Sequence, residues 1–392
     1  MNASVIRRIN TSRVFHALRR QPGMSQRELA TTTGIDRATI SAVISALEQQ
    51  GLVERTPIRG RGRAGRPEQA LLIPEQAGTF LGARLEPTTI RTIATTLDGK
   101  VLKTRQAPGS RTVAKAIRYL QQAIDQVLGE LPAHAGVKGI GIGVPGIMDS
   151  RGHLALAPNL GWRNVAIRER LEQAFDFPVF VDNDTKAAAL AEQLFGACQA
   201  RNDFVFITGH SGVGGGLYLG GALYRGFRGY AGEIGHTKIV PEGRACACGG
   251  RGCLEAYVSE ASILRRLEEA GEDYPDVWDV ARAAEQGHPV VRRILEETGN
   301  HLGLAIANLI NLLNPELVVL GGNLAVVSPY AMPAIQRVLR ENALDALTPD
   351  VDIIISPLGP ESVPMGGVAL AMEGVLSLPS WLAKGAFSNH AR

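Results

Sequence analysis

The amino-acid sequence predicts an α/β chain: a small helical head with a β-hairpin wing, followed by a larger body of alternating strands and helices. Three observations predict this. Two apolar repeats at helical spacing flank a tight turn within the first fifty residues. From about Gly78, strand patterns alternate with helical ones. The charge divides at the same place. Residues 1–75 hold twelve Arg, no Lys and six acidic residues, a net of +6, whereas the remainder has 29 basic and 32 acidic residues, a net of −3. A basic head on a mildly acidic body suits a polyanionic partner for the head. With 392 residues and 45% apolar composition, the chain can bury two or three packed units.

In the head, about Val5 to Arg20 reads as a helix with Ile6, Ile9, Val14, Phe15 and Leu18 as one wall. Ser25 followed by Glu28 is a capping box for a second helix, and Gly34 can take the left-handed conformation its turn needs. Asp36 caps a third helix, where Ile40, Val43, Ile44 and Leu47 face inward. Gly51 ends that helix, Leu52-Val53 begins a strand, and Leu71 to Ile73 return as its partner. This pattern is a winged helix-turn-helix, which places its second motif helix in the major groove of double-stranded DNA. Arg37, Thr39 and Ser41 on the outward face are the expected base and phosphate contacts. Arg59, Arg61, Arg63 and Arg66, spaced by small residues at the wing tip, suit a phosphate backbone or a narrow minor groove. A plain linker is the alternative for that arginine loop, and the returning strand argues against it.

No apolar run approaches the roughly 20 residues that span a bilayer, and the N-terminus has no signal-peptide core. A cytoplasmic protein with no membrane partner is therefore expected. Three of the four cysteines lie in CACGGRGC, a clustering that favours metal over disulfides in a reducing compartment. With His236, the thiols of Cys246, Cys248 and Cys253 make a closed tetrahedral zinc set. Buried free thiols are the alternative, and Cys198 is expected to be a core residue. In the body, TFLGARL and TIRTIATTL read as a hairpin, KGIGIGVPGIMD as a strand entering a Gly/Pro loop, and FPVFVDNDTKAAALAEQLFG as a strand then a helix. DFVFITGHSGVGGGLYLGGALYRG reads as two strands around a glycine loop, followed by helices over about Glu260 to Glu272 and Pro289 to Leu313. LVVLGGN and VDIIISPLG are strands, and VPMGGVALAMEGVL is a helix.

The stretches GIGVPGIMD, APNLGW, VDNDTKAAALAE, GVGGG, GYAGEIGH and CACGGRGCLEAY occur in this order, and with them the body resembles the ROK family of repressors and sugar kinases. The resemblance implies a two-lobed actin-like, hexokinase-like (ribonuclease H-like) body. The expected boundaries are 1–75 for the winged helix-turn-helix, 76–195 for a first α/β lobe completed by a C-terminal helix over 375–392, and 196–374 for a second α/β lobe with the zinc site. The resemblance also implies that the zinc is structural and that a sugar is held by Asn159, Asn183, Asp184, Glu233, His236 and Glu255. Gly146 lies where backbone must approach the ring. Asp184 matches the general base of the family's kinases. Capping of its helix is the alternative role for Asp184, and pairing with an arginine is the alternative for Glu255.

Two loops decide between repressor and kinase. The family's first phosphate loop, an Asp with glycines and a Thr, is replaced here by LGARLEPTTIR, where Arg84, Glu86 and Pro87 obstruct close backbone approach to phosphates. The second keeps Gly212, Gly214, Gly215 and Gly216, but His210 and Ser211 stand where the kinases have Gly-Thr. The expected protein is a non-catalytic, sugar-responsive repressor of carbohydrate-metabolism genes, a homodimer or homotetramer that releases operator DNA when sugar binds. The alternatives are an active sugar kinase with a DNA-binding head and a regulator whose DNA binding sugar strengthens.

Overall fold

The computed structural model describes residues 3–57, 69–74, 78–131, 136–210 and 212–377, with side chains from residue 6. The head comprises α1 (Ala3–Arg20), α2 (Gln26–Thr33), α3 (Arg37–Gln49) and an antiparallel pair, β1 (Glu54–Pro57) with β2 (Gln69–Leu72). The capping box forms as its sequence dictates: Ser25 N–H donates to Glu28 Oε2 at 2.8 Å, and Glu28 N–H to Ser25 Oγ at 3.3 Å. Gly34 takes φ +67° after α2, and Asp36 accepts from Thr39 N–H at 2.9 Å. Phe15, Leu18, Leu29, Ile40, Ile44, Leu47 and Leu71 form the head's core. Ile6 and Ile9 depart from the expectation. They remain 44% and 41% exposed, outside the head's buried core.

The body begins with β3 (Thr79–Leu85), β4 (Thr89–Thr96), β5 (Val101–Pro108), α4 (Val113–Gly129) and β6 (Val137–Val144). A three-stranded ribbon follows, β7 (Ile147–Met148), β8 (Leu154–Ala157) and β9 (Trp162–Val165), then α5 (Ile167–Glu172), β10 (Val179–Asn183) and α6 (Asp184–Leu194). The first sheet has the order β10-β6-β3-β4-β5, parallel from β10 to β3 and antiparallel beyond. The next elements are β11 (Phe204–Gly209), β12 (Val213–Leu219), β13 (Ala222–Leu223), α7 (Glu255–Val258), α8 (Glu260–Glu269), α9 (Val277–Glu285) and α10 (Pro289–Leu313). The chain closes with β14 (Leu317–Gly322), α11 (Leu324–Asn342), β15 (Asp352–Ile355) and α12 (Ser362–Ser377). The second sheet has the order β13-β12-β11-β14-β15.

Side chains alternate across β3: Leu81, Ala83 and Leu85 pack with the apolar face of α4, while Phe80 packs with α12. On the α12 side the approach is glycine on glycine. A Cβ on Gly141 of β6 would fall on the Gly367 carbonyl of α12. The helix that covers this sheet is thus α12, which starts at Ser362. Of the completing helix expected over 375–392, Val375 to Ser377 fall within α12, and residues 378–392 lie outside the described residues. Among the described residues, no helix is long and apolar enough to cross a membrane.

The head rests on the body through α1. Ser12 donates to Glu373 of α12 at 2.8 Å, and His16 Nε2 lies 2.6 Å from the same carboxylate. Arg19 donates to the Leu194 carbonyl at the end of α6 and lies over the Phe195 ring, 4.7 Å from its centroid. Burial holds the His16 imidazole below its usual pKa, against the opposing Glu373 hydrogen bond. Burial alone would raise the Glu373 carboxyl, but hydrogen bonds from His16 and Ser12 outweigh it and hold the group below the ordinary range. Both groups therefore bind fewer protons folded than unfolded, so stability rises with pH. Their contribution is complete above about pH 6.5, the free imidazole value, and is lost as pH falls below it and then below about 4.3. His16→Gln is expected to shrink the drop in melting temperature between about pH 7.5 and pH 5.5. An undiminished drop by calorimetry would show that His16 does not carry it.

Candidate functional site

The body's polar side chains converge where the two sheets meet. Asn183 ends β10 and caps α6, accepting from the N–H groups of Thr185 at 3.1 Å and Lys186 at 3.0 Å. Its amide nitrogen donates to the Gly146 carbonyl at 3.0 Å and to Asp184 Oδ1 at 3.2 Å. Asn183 thus shapes the site as much as it lines it. Asp184 opens α6, and its Oδ1 accepts from Thr185 N–H at 2.8 Å. Burial raises the Asp184 carboxyl, and the Arg84 charge offsets this in part. Gly146 takes φ +122°, and a Cβ there would press on the Leu156 carbonyl and Ala157. The loop needs glycine to pass this close.

Glu255 begins α7. Its Oε2 accepts from Val213 N–H at 3.1 Å, and its Oε1 lies 3.5 Å from Cys246 Sγ. Glu255 therefore pairs with the glycine hairpin rather than with an arginine. Glu233 precedes a short 3-10 turn, Ile234–His236, and burial raises its carboxyl against the opposing His236 and Lys186 charges. Lys186 is itself buried and donates to the Gly229 carbonyl, fastening the loop that leads to Glu233. Asn159, Asn183, Asp184, Glu233, His236 and Glu255 all line one cavity of about 150 Å³. Arg84, Thr208 and His210 line it too, and sequence reasoning missed them as site residues. Arg84 and His210 read only as spoilers of phosphate loops, although a lone Arg inside the apolar strand TFLGARL was a signal. Ser211 lies outside the described residues.

The ligand atoms of His236, Cys246, Cys248 and Cys253 all lie within 4.8 Å of one another. Cys246 Sγ is 3.8 Å from His236 Nδ1, and Cys248 Sγ is 3.7 Å from Cys253 Sγ. Tetrahedral bonds of about 2.3 Å to sulfur require ligand separations of this size, so the donor set fits a closed metal site. Lys238 Nζ lies 2.8 Å from Cys253 Sγ. Cys198 sits apart, buried among Phe204, Phe206 and Leu317.

On the head, Arg37 and Ser41 are exposed and Thr39 is half-buried on the face of α3 turned away from its core. Arg59, Arg61, Arg63 and Arg66 lie outside the described residues.

The chain thus joins a winged helix to a two-sheet α/β body that carries a carboxylate-lined cavity and a Cys3His cluster sharing His236 with it. Residues 81–373 match the ROK family and residues 8–64 the MarR family. The chain belongs to the ROK family, with a MarR-type winged helix at its N-terminus and an actin-like, hexokinase-like body. It is 30% identical to a xylose repressor of Caldicellulosiruptor bescii over 97% of this chain and 99% of that one. It is 26% identical to the DNA-binding transcriptional dual regulator NagC of Escherichia coli over 96% of this chain and 95% of that one. Among solved structures, a ROK family transcriptional regulator described as a homologue of the E. coli MLC protein aligns with a TM-score of 0.81. That pair is 28% identical and covers 97% and 99% of the two chains. A ROK family glucokinase from Streptomyces griseus, crystallised with glucose and AMPPNP, aligns at 0.68 with 28% identity over 75% of this chain and 98% of that one.

Proposed function

We propose that this protein is a sugar-responsive transcriptional repressor of carbohydrate-metabolism genes. Arg37, Thr39 and Ser41 read operator DNA, the wing arginines hold its backbone, and sugar binding releases it. The observation that carries this reading is α6. Its first residue, Asp184, lines the cavity, and its last, Leu194, holds Arg19 of the DNA-binding head, about 16 Å away along the helix axis. A sugar that shifts Asp184 and the α6 N-terminus thereby acts on α1 through one rigid element. A tenfold change in DNA affinity needs only about 1.4 kcal/mol of difference in sugar affinity between the two arrangements.

Asn159, Asn183, Asp184, Glu233, His236 and Glu255 are the proposed sugar contacts, with carboxylates and amides suited to orienting hydroxyls. His236, Cys246, Cys248 and Cys253 would hold a structural zinc, which supplies no chemistry beyond pinning the Glu233 and Glu255 loops together. The body is non-catalytic in this reading, since the end of β3 carries the Arg84–Glu86 pair in place of a glycine phosphate loop. Two or four copies assemble to read a two-fold operator.

The test is a titration of the purified protein with DNA from upstream of its own gene, at fixed salt, with and without D-xylose, D-glucose and N-acetyl-D-glucosamine. The expected result is specific binding that one sugar weakens about tenfold or more. Specific binding that the sugars strengthen would reverse the sign of regulation. Indifference to all of them would remove the effector role.

A further inference from the structure

We infer that Arg84 and Glu86 make the cavity select an uncharged sugar over the same sugar esterified with phosphate at the hydroxyl beside Asp184. The inference rests on the proposed sugar reading. Arg84 lies at the end of β3 and is 4% exposed. It is the only Arg or Lys among the cavity's described lining residues, which include three carboxylates, Asp184, Glu233 and Glu255. The Arg84 charge is already committed. Its Nη2 lies 2.6 Å from Glu86 Oε1, and its Nη1 lies 3.3 Å from His210 Nδ1. A phosphate ester would add a charge of about −1.5 to −2 to a set where carboxylates already outnumber the guanidinium. Like charges a few ångströms apart in a partly dehydrated cavity repel strongly. Burial already holds the carboxyls of Asp184 and Glu86 above their ordinary range, so this corner resists further negative charge.

The same corner keeps donors for a neutral ligand. Arg84 Nε and Thr208 Oγ1 are buried without hydrogen-bond partners, and the His210 ring also engages Asn323. A Cβ on Gly322 would overlap both Thr208 Oγ1 and His210 Nε2, so these two atoms are close neighbours. Guanidinium only donates, which makes His210 Nδ1 the acceptor and leaves the ring hydrogen on Nε2. The Arg84 Nε–H and the Thr208 hydroxyl can therefore face the lone pairs of a free hydroxyl whose own proton Asp184 accepts. A buried donor left unpaired costs about 1–3 kcal/mol. The free sugar removes that cost without adding charge.

Isothermal titration of the full chain tests this, using D-xylose, D-glucose and N-acetyl-D-glucosamine, each against its own monophosphate esters. The sugar that binds should do so at least about tenfold more tightly than its esters. Glu86→Gln releases Arg84 and should narrow or reverse that gap. An ester that binds the unaltered chain as tightly as its parent sugar would overturn the inference. So would an unchanged gap in a Glu86→Gln protein that melts like the original, and if that variant does not fold, the first comparison decides alone. Silence from every sugar and every ester would sink the effector reading itself, and this inference with it.

Discussion

Asp184→Ala should raise the sugar concentration needed for half-release of DNA by about tenfold to a hundredfold. A hydrogen bond to a charged group is worth roughly 1.5–3 kcal/mol, and about 1.4 kcal/mol is a factor of ten. DNA affinity without sugar should stay the same, because Asp184 lies in the cavity and the DNA-reading face of α3 lies on the head. Stability should not fall much either. The carboxylate is buried and raised by that burial, so its removal relieves an unfavourable charge while Asn183 keeps the α6 cap. Anisotropy titrations with sugar at fixed DNA, together with a melting curve, separate these effects. A variant that melts normally and still responds to sugar at the original concentration would remove Asp184 from the sugar site. Sugar-dependent ATP consumption that disappears in the same variant would instead establish phosphoryl transfer.

The second large effect is expected at the Cys3His cluster. Cys253→Ser should lose one equivalent of zinc, measured by atomic emission, and should lower the melting temperature of the second lobe. If the lost metal contributes about 3 kcal/mol, the fall is roughly 6–12 °C for a unit of this size. Sugar response should vanish with the metal, since His236 belongs to both the cluster and the cavity and Glu255 lies 3.5 Å from Cys246 Sγ. Cys198→Ser is the control: it leaves every ligand in place and should keep the zinc. A Cys253→Ser protein with full metal content and unchanged melting would show that the four residues do not act as one site.

What the sequence made legible was local. Ser25 with Glu28, Gly34 and Asp36 specify α2 and α3 through hydrogen bonds that reach no more than four residues, and all of them form. The strand-to-helix turn at Asn183-Asp184 is equally short in range and was equally readable. Failures came where distant packing decides. Residues 324–342 carried no helical expectation, yet they form α11, which packs against α10 and keeps Pro329 and Pro333 inside it. The helix over VPMGGVALAMEGVL was legible, but its packing on the first sheet was not, because β3 and β6 lie more than two hundred residues earlier in the chain. Among the site residues, the metal ligands and carboxylates were readable from motif spacing. Arg84, Thr208 and His210 were not, since only the meeting of β3, β11 and β14 brings them to one wall.

The seat of α1 on α12 limits what can be exchanged between relatives. A graft that moved residues 1–75 onto another body would carry His16 and Arg19 away from Glu373, Leu194 and Phe195, leaving a buried imidazole and a guanidinium to find new surroundings. A chimera designed to place a new operator under control of this pocket therefore needs matched surfaces at positions 12, 16, 19, 195 and 373 as well as a matched linker. The DNA-reading unit is interchangeable only together with its footing.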